Sequence, residues 1–195
     1  MRCTSGQAIT IDDLPNEVLL EIFAFYVVKY RLVGLIDSTS KRTIESWQSL
    51  VHVCQRWRGL VFASSRRLDL QLCISARVSS DVWPALPLLI HDGGPMDNMI
   101  AELEHSDRTR QIDIFLHRYT TREIEKLWTA MQVPFPELTS LHLEHDDSSS
   151  VPVLPDSFLG GSAPRLRYLN LRSISFSGIP KLLLSTTHLV RLYPQ

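Results

Sequence analysis

A repeated leucine pattern in the C-terminal half of the chain places the strongest limit on its fold. Residues 136–143 and 164–171 both have the pattern P-x-L-x-x-L-x-L, and the second copy follows the first by 28 residues. A third, broken copy at 189–192 follows at an offset of 23, and short helical candidates occur at 155–159 and 179–184. Repetition at such a period is typical of stacked units that share one leucine core.

The region before the repeats predicts a similar alternation of strands and helices. Thr120 and Glu123 have the spacing of a capping box, and the apolar residues behind them have the spacing of a helix. Alternating and helical apolar patterns predict strands at 67–72, 86–90 and 112–116, and helices at 97–104 and 124–131. We therefore expect residues 66–195 to form one irregular α/β segment.

Residues 10–65 have a helical pattern instead. Pro15 suits the start of a helix because its missing N–H would have no partner there. Apolar residues then recur at helical spacing, and after a predicted polar loop at 31–46 a second helical pattern runs from Trp47 to Val61. Two such helices cannot bury both apolar stripes against each other, so the surplus faces the rest of the chain or a partner. On periodicity alone, two amphipathic helices of an ordinary bundle remain an alternative.

Two motifs in this region resemble the F-box family. The sequence LPNEVLLEIF at 14–23 and the sequence LVHVCQRWR at 50–58 are similar to the family's LPxE-V/L-LxxIF helix and its V-C-x-x-W-R helix, although the spacer at 30–46 is longer and more polar. The resemblance implies docking on the Skp-type adaptor of a cullin–RING ubiquitin ligase. The resemblance implies adaptor contact at nine matching positions, some of which must belong to the core of the module instead: Leu14, Pro15, Val18, Leu19, Ile22, Phe23, Val53, Cys54 and Trp57.

The repeats resemble the strand segment of the leucine-rich-repeat family, with Asp146 and Ile174 where that family has asparagine. The resemblance implies an irregular α/β solenoid, similar to fungal F-box proteins that carry such repeats. Because side chains alternate across a strand, the leucines would point inward and a polar set would line the open side of the sheet. That set, which suits protein recognition but is also compatible with plain solvated residues, is Ser140, His142, Glu144, Tyr168, Asn170 and Arg172.

The chain reaches its last residues inside the third copy of the repeat. A solenoid needs a terminal cap, or its last repeat exposes an apolar edge. The sequence therefore favours a truncated product or a fragment, with capping by a partner as the alternative.

Composition excludes several classes of protein. A net charge of −1 and a pI of 6.6 lack the basic character of a general nucleic-acid binder. The three cysteines form no CxxC pair, and residues 1–7 contain no apolar signal segment. The most apolar stretch, 18–36, is interrupted by Glu21, Lys29 and Arg31, which argues against a membrane span. We expect a cytoplasmic or nuclear protein that binds neither nucleic acid nor membrane.

No motif for catalysis or for a cofactor occurs in the sequence. The one cluster of potential metal ligands is His142, Glu144, His145, Asp146 and Asp147, which runs into three serines and lacks evident second-shell support. The resemblance to F-box proteins with repeats therefore implies a non-catalytic substrate receptor, for which we expect no metal or cofactor and whose target protein is not identified. The alternatives are a leucine-rich-repeat scaffold with no ligase role and, more remotely, a metal-dependent hydrolase using His142, Glu144 and His145.

Overall fold

A computed structural model describes residues 10–36, 46–74, 83–92, 94–146, 152–176, 182, 186 and 189–193. The chain divides into two compact units, Met1–Leu70 and Gln71–Gln195, where the sequence predicts 10–65 and 66–195. Among the helices in these described ranges, none has the length and apolar character needed to cross a membrane.

The first unit is helical. A 3-10 turn at Ile11–Asp13 precedes helix α1 (Asn16–Ile36), and the carbonyl of Pro15 accepts the first helical hydrogen bond, from the N–H of Leu19. The predicted loop at 31–46 is wrong for 31–36, because the largely apolar residues 32–36 extend α1 to Ile36. The rest of that loop, 37–45, lies outside the described residues.

The second helical pattern of this unit forms two helices, α2 (Ser46–Val51) and α3 (Gln55–Ala63). The prediction of one helix from Trp47 to Val61 is therefore wrong. Cys54 causes the break: its backbone is extended, and its sulfur accepts a hydrogen bond from the N–H of Trp57 at 3.5 Å, which caps α3. The apolar residues of α1, α2 and α3 that face one another form the core, which contains Leu19, Leu20, Phe23, Val27, Trp47, Leu50, Val51, Trp57 and Val61.

The second unit contains a six-stranded parallel sheet with helices against it. Its strands, in chain order, are β1 (Leu72–Ile74), β2 (Leu88–His91), β3 (Thr109–Phe115), β4 (Ser140–Glu144), β6 (Tyr168–Arg172) and β8 (Arg191–Tyr193), and they lie side by side in that order. A separate parallel pair joins β5 (Val153–Leu154) to β7 (Ser175–Phe176). The predicted α+β mixture of helices and strands is confirmed, and the structure adds that the strands of the sheet are parallel.

The predicted strand at 67–72 is wrong except at Leu72. Residues 64–69 form turns, and Asp69 has a φ of 46°, in the left-handed region that no strand residue adopts. Leu68 and Leu70 are buried although they are not in a strand. Leu68, Leu70 and Leu72 are therefore buried at alternate positions, which is the sequence pattern of a strand, although the first two lie outside one.

Two helices cover one side of the sheet. They are α4 (Met96–Leu103) and α5 (Thr121–Ala130), close to the predicted 97–104 and 124–131. The capping box at the start of α5 is present as predicted, since Thr120 Oγ1 accepts from the N–H of Glu123 and the Glu123 carboxylate accepts from the N–H of Thr120. Their apolar sides pack on leucines and isoleucines of β3, β4 and β6 in one continuous core.

The repeats pair with one another in register. Leu141 and Leu143 of β4 pair with Leu169 and Leu171 of β6, and Leu169 pairs with Leu192 of β8. The offsets of 28 and 23 residues between the copies in the sequence are therefore the offsets between paired residues on β4, β6 and β8. The helix predicted at 155–159 is instead a 3-10 turn at Phe158–Gly161. Of the helix predicted at 179–184, only Leu182 lies in the described part of the chain.

Candidate functional site

The residues predicted to contact an adaptor divide into a buried group and a group at the surface. Leu19, Phe23 and Trp57 are buried in the core of the first unit, where the rings of Phe23 and Trp57 have centroids 4.7 Å apart. The other residues of the set reach the surface to different degrees, and these are Leu14, Pro15, Val18, Ile22, Val53 and Cys54. The structure thus shows which residues of the predicted set belong to the core and which lie at the surface, a division that the motif alone did not give.

Three apolar side chains form an exposed line along α1, which we call the α1 ridge. Val18, Ile22 and Phe25 are 43%, 43% and 73% exposed. Their spacing of i, i+4 and i+7 places them on one side of the helix. Phe25 lies beyond the end of the motif and was missed, although its helical spacing from Ile22 is a signal that the sequence contains.

Arg56 connects the two motifs of the first unit. Its Nη2 donates to the carbonyl of Leu14 at 2.6 Å and to Oδ1 of Asn16 at 2.8 Å. These contacts join the start of α3 to the start of α1, although 40 residues separate Arg56 from Asn16. The two motifs therefore form one local structure around the beginning of α1.

The residues predicted to bind a target lie on two neighbouring strands of the second unit. Register pairs Ser140 with Tyr168, His142 with Asn170, and Glu144 with Arg172. The leucines between them are buried in the core shared with α4 and α5. Because side chains alternate along a strand, all six lie on the side of the sheet opposite to that core, here called the open face.

His142 is the centre of a hydrogen-bonded chain on the open face. Its Nδ1 lies 2.9 Å from Nδ2 of Asn170, and its Nε2 lies 3.3 Å from Oε2 of Glu144. These contacts fit a neutral imidazole in which Nδ1 accepts from Asn170 and Nε2–H donates to Glu144. Glu144 uses its other oxygen, Oε1, to accept from Nη1 of Arg172 at 2.8 Å.

The environment of Glu144 lowers its pKa. Burial alone would raise the pKa of this carboxyl group, but the hydrogen bonds from Arg172 and His142 favour the ionised form and outweigh burial. The carboxylate is therefore a fixed acceptor that holds Arg172 and His142 in place. It is itself only 12% exposed.

Phe115 extends the open face onto the neighbouring strand β3. It is in register with Glu144, and its ring centroid lies 5.8 Å from that of His142. The guanidinium carbon of Arg118 lies 5.7 Å from the centroid of Phe115, within range of a cation–π contact. Phe115 and Arg118 were not predicted as site residues, because no leucine motif fixes the register of β3 in the sequence.

Arg118 forms an ion pair with a buried carboxylate. Its Nη1 lies 3.2 Å from Oδ2 of Asp92, whose side chain is 2% exposed. Asp92 also accepts a hydrogen bond from the hydroxyl of Tyr119. Burial, together with this hydrogen bond, raises the pKa of Tyr119 above its ordinary value, so the phenol remains a donor to Asp92 at neutral pH.

Comparisons with protein-family models, curated proteins and solved structures find no match. The functional interpretation of the chain therefore depends on its own geometry. Two surfaces are candidates: the α1 ridge of the first unit and the open face of the second.

The potential metal ligands named in the sequence are not brought together. His142 contacts Glu144 on the open face, whereas His145 is buried, and its neighbour Asp146 is exposed. Asp147 lies outside the described residues. In the part of the chain that the structure describes, no group of three or more His, Cys, Asp or Glu side chains is placed to hold a metal ion.

Proposed function

We propose that this protein is a non-catalytic substrate receptor of a cullin–RING ubiquitin ligase. In this proposal the α1 ridge binds a Skp-type adaptor, which links the receptor to the cullin. The observation that carries the proposal is that Val18 and Ile22 are exposed inside the motif that resembles the F-box, while Leu19 and Phe23 of the same motif are buried. An apolar helix surface of this kind suits docking against another helical protein.

The second unit would present the target. Its six parallel strands follow one another in sequence order, and the leucine copies pair in register, which supports a leucine-rich-repeat-like solenoid. The open face, with Ser140, Tyr168 and the chain of contacts around His142, would be its recognition surface. Transfer of ubiquitin would then be catalysed by other subunits, and the receptor would contribute by holding the target near them.

Co-purification with a Skp-type adaptor tests the proposal. We expect the wild-type chain to form a stable complex, and the double variant Val18→Asp/Ile22→Asp to lose about tenfold or more in affinity, because two charges would be buried in the interface. Both side chains are already exposed, so circular dichroism of the variant is expected to match that of the wild type.

Val133→Asp is the matched control. Val133 is 43% exposed, like Val18 and Ile22, but lies in the second unit, so this charge is expected to leave adaptor binding unchanged. A wild-type chain that forms no complex, or a double variant that binds as well as the wild type, would contradict the proposal.

The second candidate is a leucine-rich-repeat scaffold with no role in a ligase. It is favoured by the burial of Leu19, Phe23 and Trp57, which shows that much of the motif serves the core of its own unit. In that case the α1 ridge variants would fold normally and retain every partner of the wild-type protein. Comparing the proteins captured by the two forms from one lysate separates the candidates, since only a receptor would lose adaptor and cullin together.

A further inference from the structure

Two histidines of the open face each contact a polar side chain through Nδ1, but the two partners differ in chemistry. Nδ1 of His91 lies 3.0 Å from Oδ2 of Asp113. Nδ1 of His142 lies 2.9 Å from Nδ2 of Asn170. An ionised carboxylate only accepts hydrogen bonds, whereas an amide nitrogen only donates them. His91 can therefore keep its contact when the ring gains a second proton, and His142 cannot.

Glu144 determines which nitrogen of neutral His142 carries the proton. Although burial opposes it, hydrogen bonds from Arg172 and His142 lower the pKa of Glu144, so this carboxylate is an ionised acceptor at neutral pH. Its Oε2 lies 3.3 Å from Nε2 of His142, which is therefore the protonated nitrogen. Nδ1 then has a lone pair and accepts from the Asn170 amide. Asn170, His142 and Glu144 thus form one directed chain of hydrogen bonds.

A second proton on His142 disrupts one contact of this chain. Nε2–H still donates to Glu144, but Nδ1–H now faces the NH2 group of Asn170, so two donors meet without an acceptor. Rotation of the amide by about 180° brings Oδ1 to Nδ1–H, and the last torsion of asparagine is broad and nearly two-fold. Among the described residues, His142 is the one side chain that hydrogen-bonds this amide, so the rotation breaks no other described contact.

We propose that His142 and Asn170 form a pH-sensitive switch on the open face, in which protonation of His142 turns the Asn170 amide over. With His142 neutral, the amide presents its oxygen, an acceptor, at the end away from the ring. With His142 protonated, it presents its NH2 group, a donor. The switch concerns this chain alone, whereas its effect on a target rests on the proposed function of the open face. A target group that donates to Asn170 at neutral pH would lose its acceptor in acid.

Other ionisable groups surround His142 on several elements. They are Glu144 on its own strand, Arg172 on β6, Asp113 on β3, His91 on β2, and His117 and Arg118 after β3. The carboxylates favour a charged imidazole and the arginines oppose it. Histidine is the residue type whose charge ordinarily changes between about pH 5 and pH 8. A test of the switch must therefore observe His142 separately from His91 and His117.

An NMR titration of the full, nitrogen-labelled chain from about pH 8 to about pH 5 makes this separation. At the upper pH we expect a scalar coupling across the hydrogen bond between Nδ1 of His142 and Nδ2 of Asn170. As the His142 ring protonates, this coupling should be lost, and the Asn170 NH2 resonances should shift with the same midpoint as the ring. Absence of the coupling at the upper pH, a ring that stays neutral to the lower pH, or Asn170 resonances that do not follow the ring would overturn the switch.

Two variants assign the shift of Asn170 to its cause. His142→Gln is expected to abolish the pH-dependent shift of the Asn170 NH2 resonances. His91→Gln is the matched control and should retain that shift, because His91 is on the same face and similarly exposed, at 32% against 29%, but has Asp113 as its partner. A shift that persists in His142→Gln, or is lost in His91→Gln, would overturn the assignment. If His142→Gln does not fold, the wild-type titration decides alone, since it observes ring and amide in one sample.

The titration separates this inference from the proposed function because it uses neither adaptor nor target. Failure of the switch leaves the adaptor complex of the α1 ridge as expected. Failure of the wild-type chain to bind the adaptor overturns the ligase role, and the coupled titration of His142 and Asn170 would still establish the switch.

Discussion

Arg56 and Asn16 connect the starts of two helices that are far apart in the sequence. The guanidinium of Arg56 lies at the beginning of α3 and donates from Nη2 to Oδ1 of Asn16 at 2.8 Å, and the same nitrogen donates to the carbonyl of Leu14 at 2.6 Å. Leu14 and Asn16 belong to the first motif, and Arg56 belongs to the second. The spacing between the motifs can therefore vary, provided that the chain returns to this contact.

Replacing Arg56 by alanine is expected to destabilise the first unit by about 1 kcal/mol, because the variant loses charge-assisted hydrogen bonds at the surface. Asn16→Ala should cost less, since the bond to Leu14 remains. In a double-mutant cycle the two changes should be coupled, because they remove the same contact. Urea denaturation measures each free energy of unfolding, and Arg66→Ala, at an exposed arginine of the same unit, is the control. Additive effects of Arg56→Ala and Asn16→Ala would mean that the contact contributes nothing to stability.

Phe23 anchors the core of the same unit. It is fully buried, and its ring is tilted by 56° against that of Trp57. Phe23→Ala is expected to destabilise the unit by about 3–5 kcal/mol, because it removes this contact and leaves a cavity. Val18→Ala, on the exposed side of the same helix, should change the free energy of unfolding by less than about 0.5 kcal/mol. Equal effects of the two substitutions on thermal unfolding would contradict the division of the motif into core and surface.

The sequence predicted those parts of the fold that depend on local periodicity. The P-x-L-x-x-L-x-L copies fixed the pairing of β4 with β6, because a strand that buries alternate leucines has one register that keeps them together. The capping box of α5 was predictable for the same reason, since Thr120 and Glu123 satisfy each other's backbone groups without help from the rest of the fold.

The parts that the sequence did not predict depend on contacts between distant residues or on unusual backbone. Cysteine is not a common N-cap, so the apolar period across Cys54 concealed the break between α2 and α3. Phe115 was recognisable as a strand residue, but its place beside His142 depends on the register of β3 with β4. The exposure of Phe25 likewise depends on which side of α1 the neighbouring helices cover.

Glu144 gives the second unit a stability that depends on pH. Its pKa in the folded protein lies below the ordinary value of 4.5, so its contribution is fully present above that value and is lost as the pH falls through the folded pKa. Glu144→Gln should therefore destabilise the protein by about 0.5–1 kcal/mol at pH 7, and the difference from the wild type should shrink in acid. Urea denaturation between pH 7 and pH 3 measures it, with Glu125→Gln on the exposed side of α5 as control. A difference that stays constant over this range would show that the carboxylate charge has no part in it.

Two glycines are expected to respond in opposite ways to the same substitution. Gly160 has a φ of 59°, and a Cβ added there would lie 2.7 Å from the backbone nitrogen of Pro134. Gly160→Ala should therefore destabilise the second unit by about 1–3 kcal/mol through backbone strain and this close contact. Gly59 lies within α3, and an added Cβ there would meet no atom within 4 Å. Gly59→Ala should stabilise the first unit by about 0.4–1 kcal/mol, because alanine loses less conformational entropy than glycine in a helix.

Thermal unfolding of the two alanine variants beside the wild type measures both effects. Both variants replace glycine by alanine, so stability changes of opposite sign would reflect only the backbone conformation and the space at each position. An unchanged stability of Gly160→Ala would mean that residue 160 does not keep the left-handed conformation beside Pro134. The turn at Phe158–Gly161 would then be free to take the helical form that the sequence predicts at 155–159.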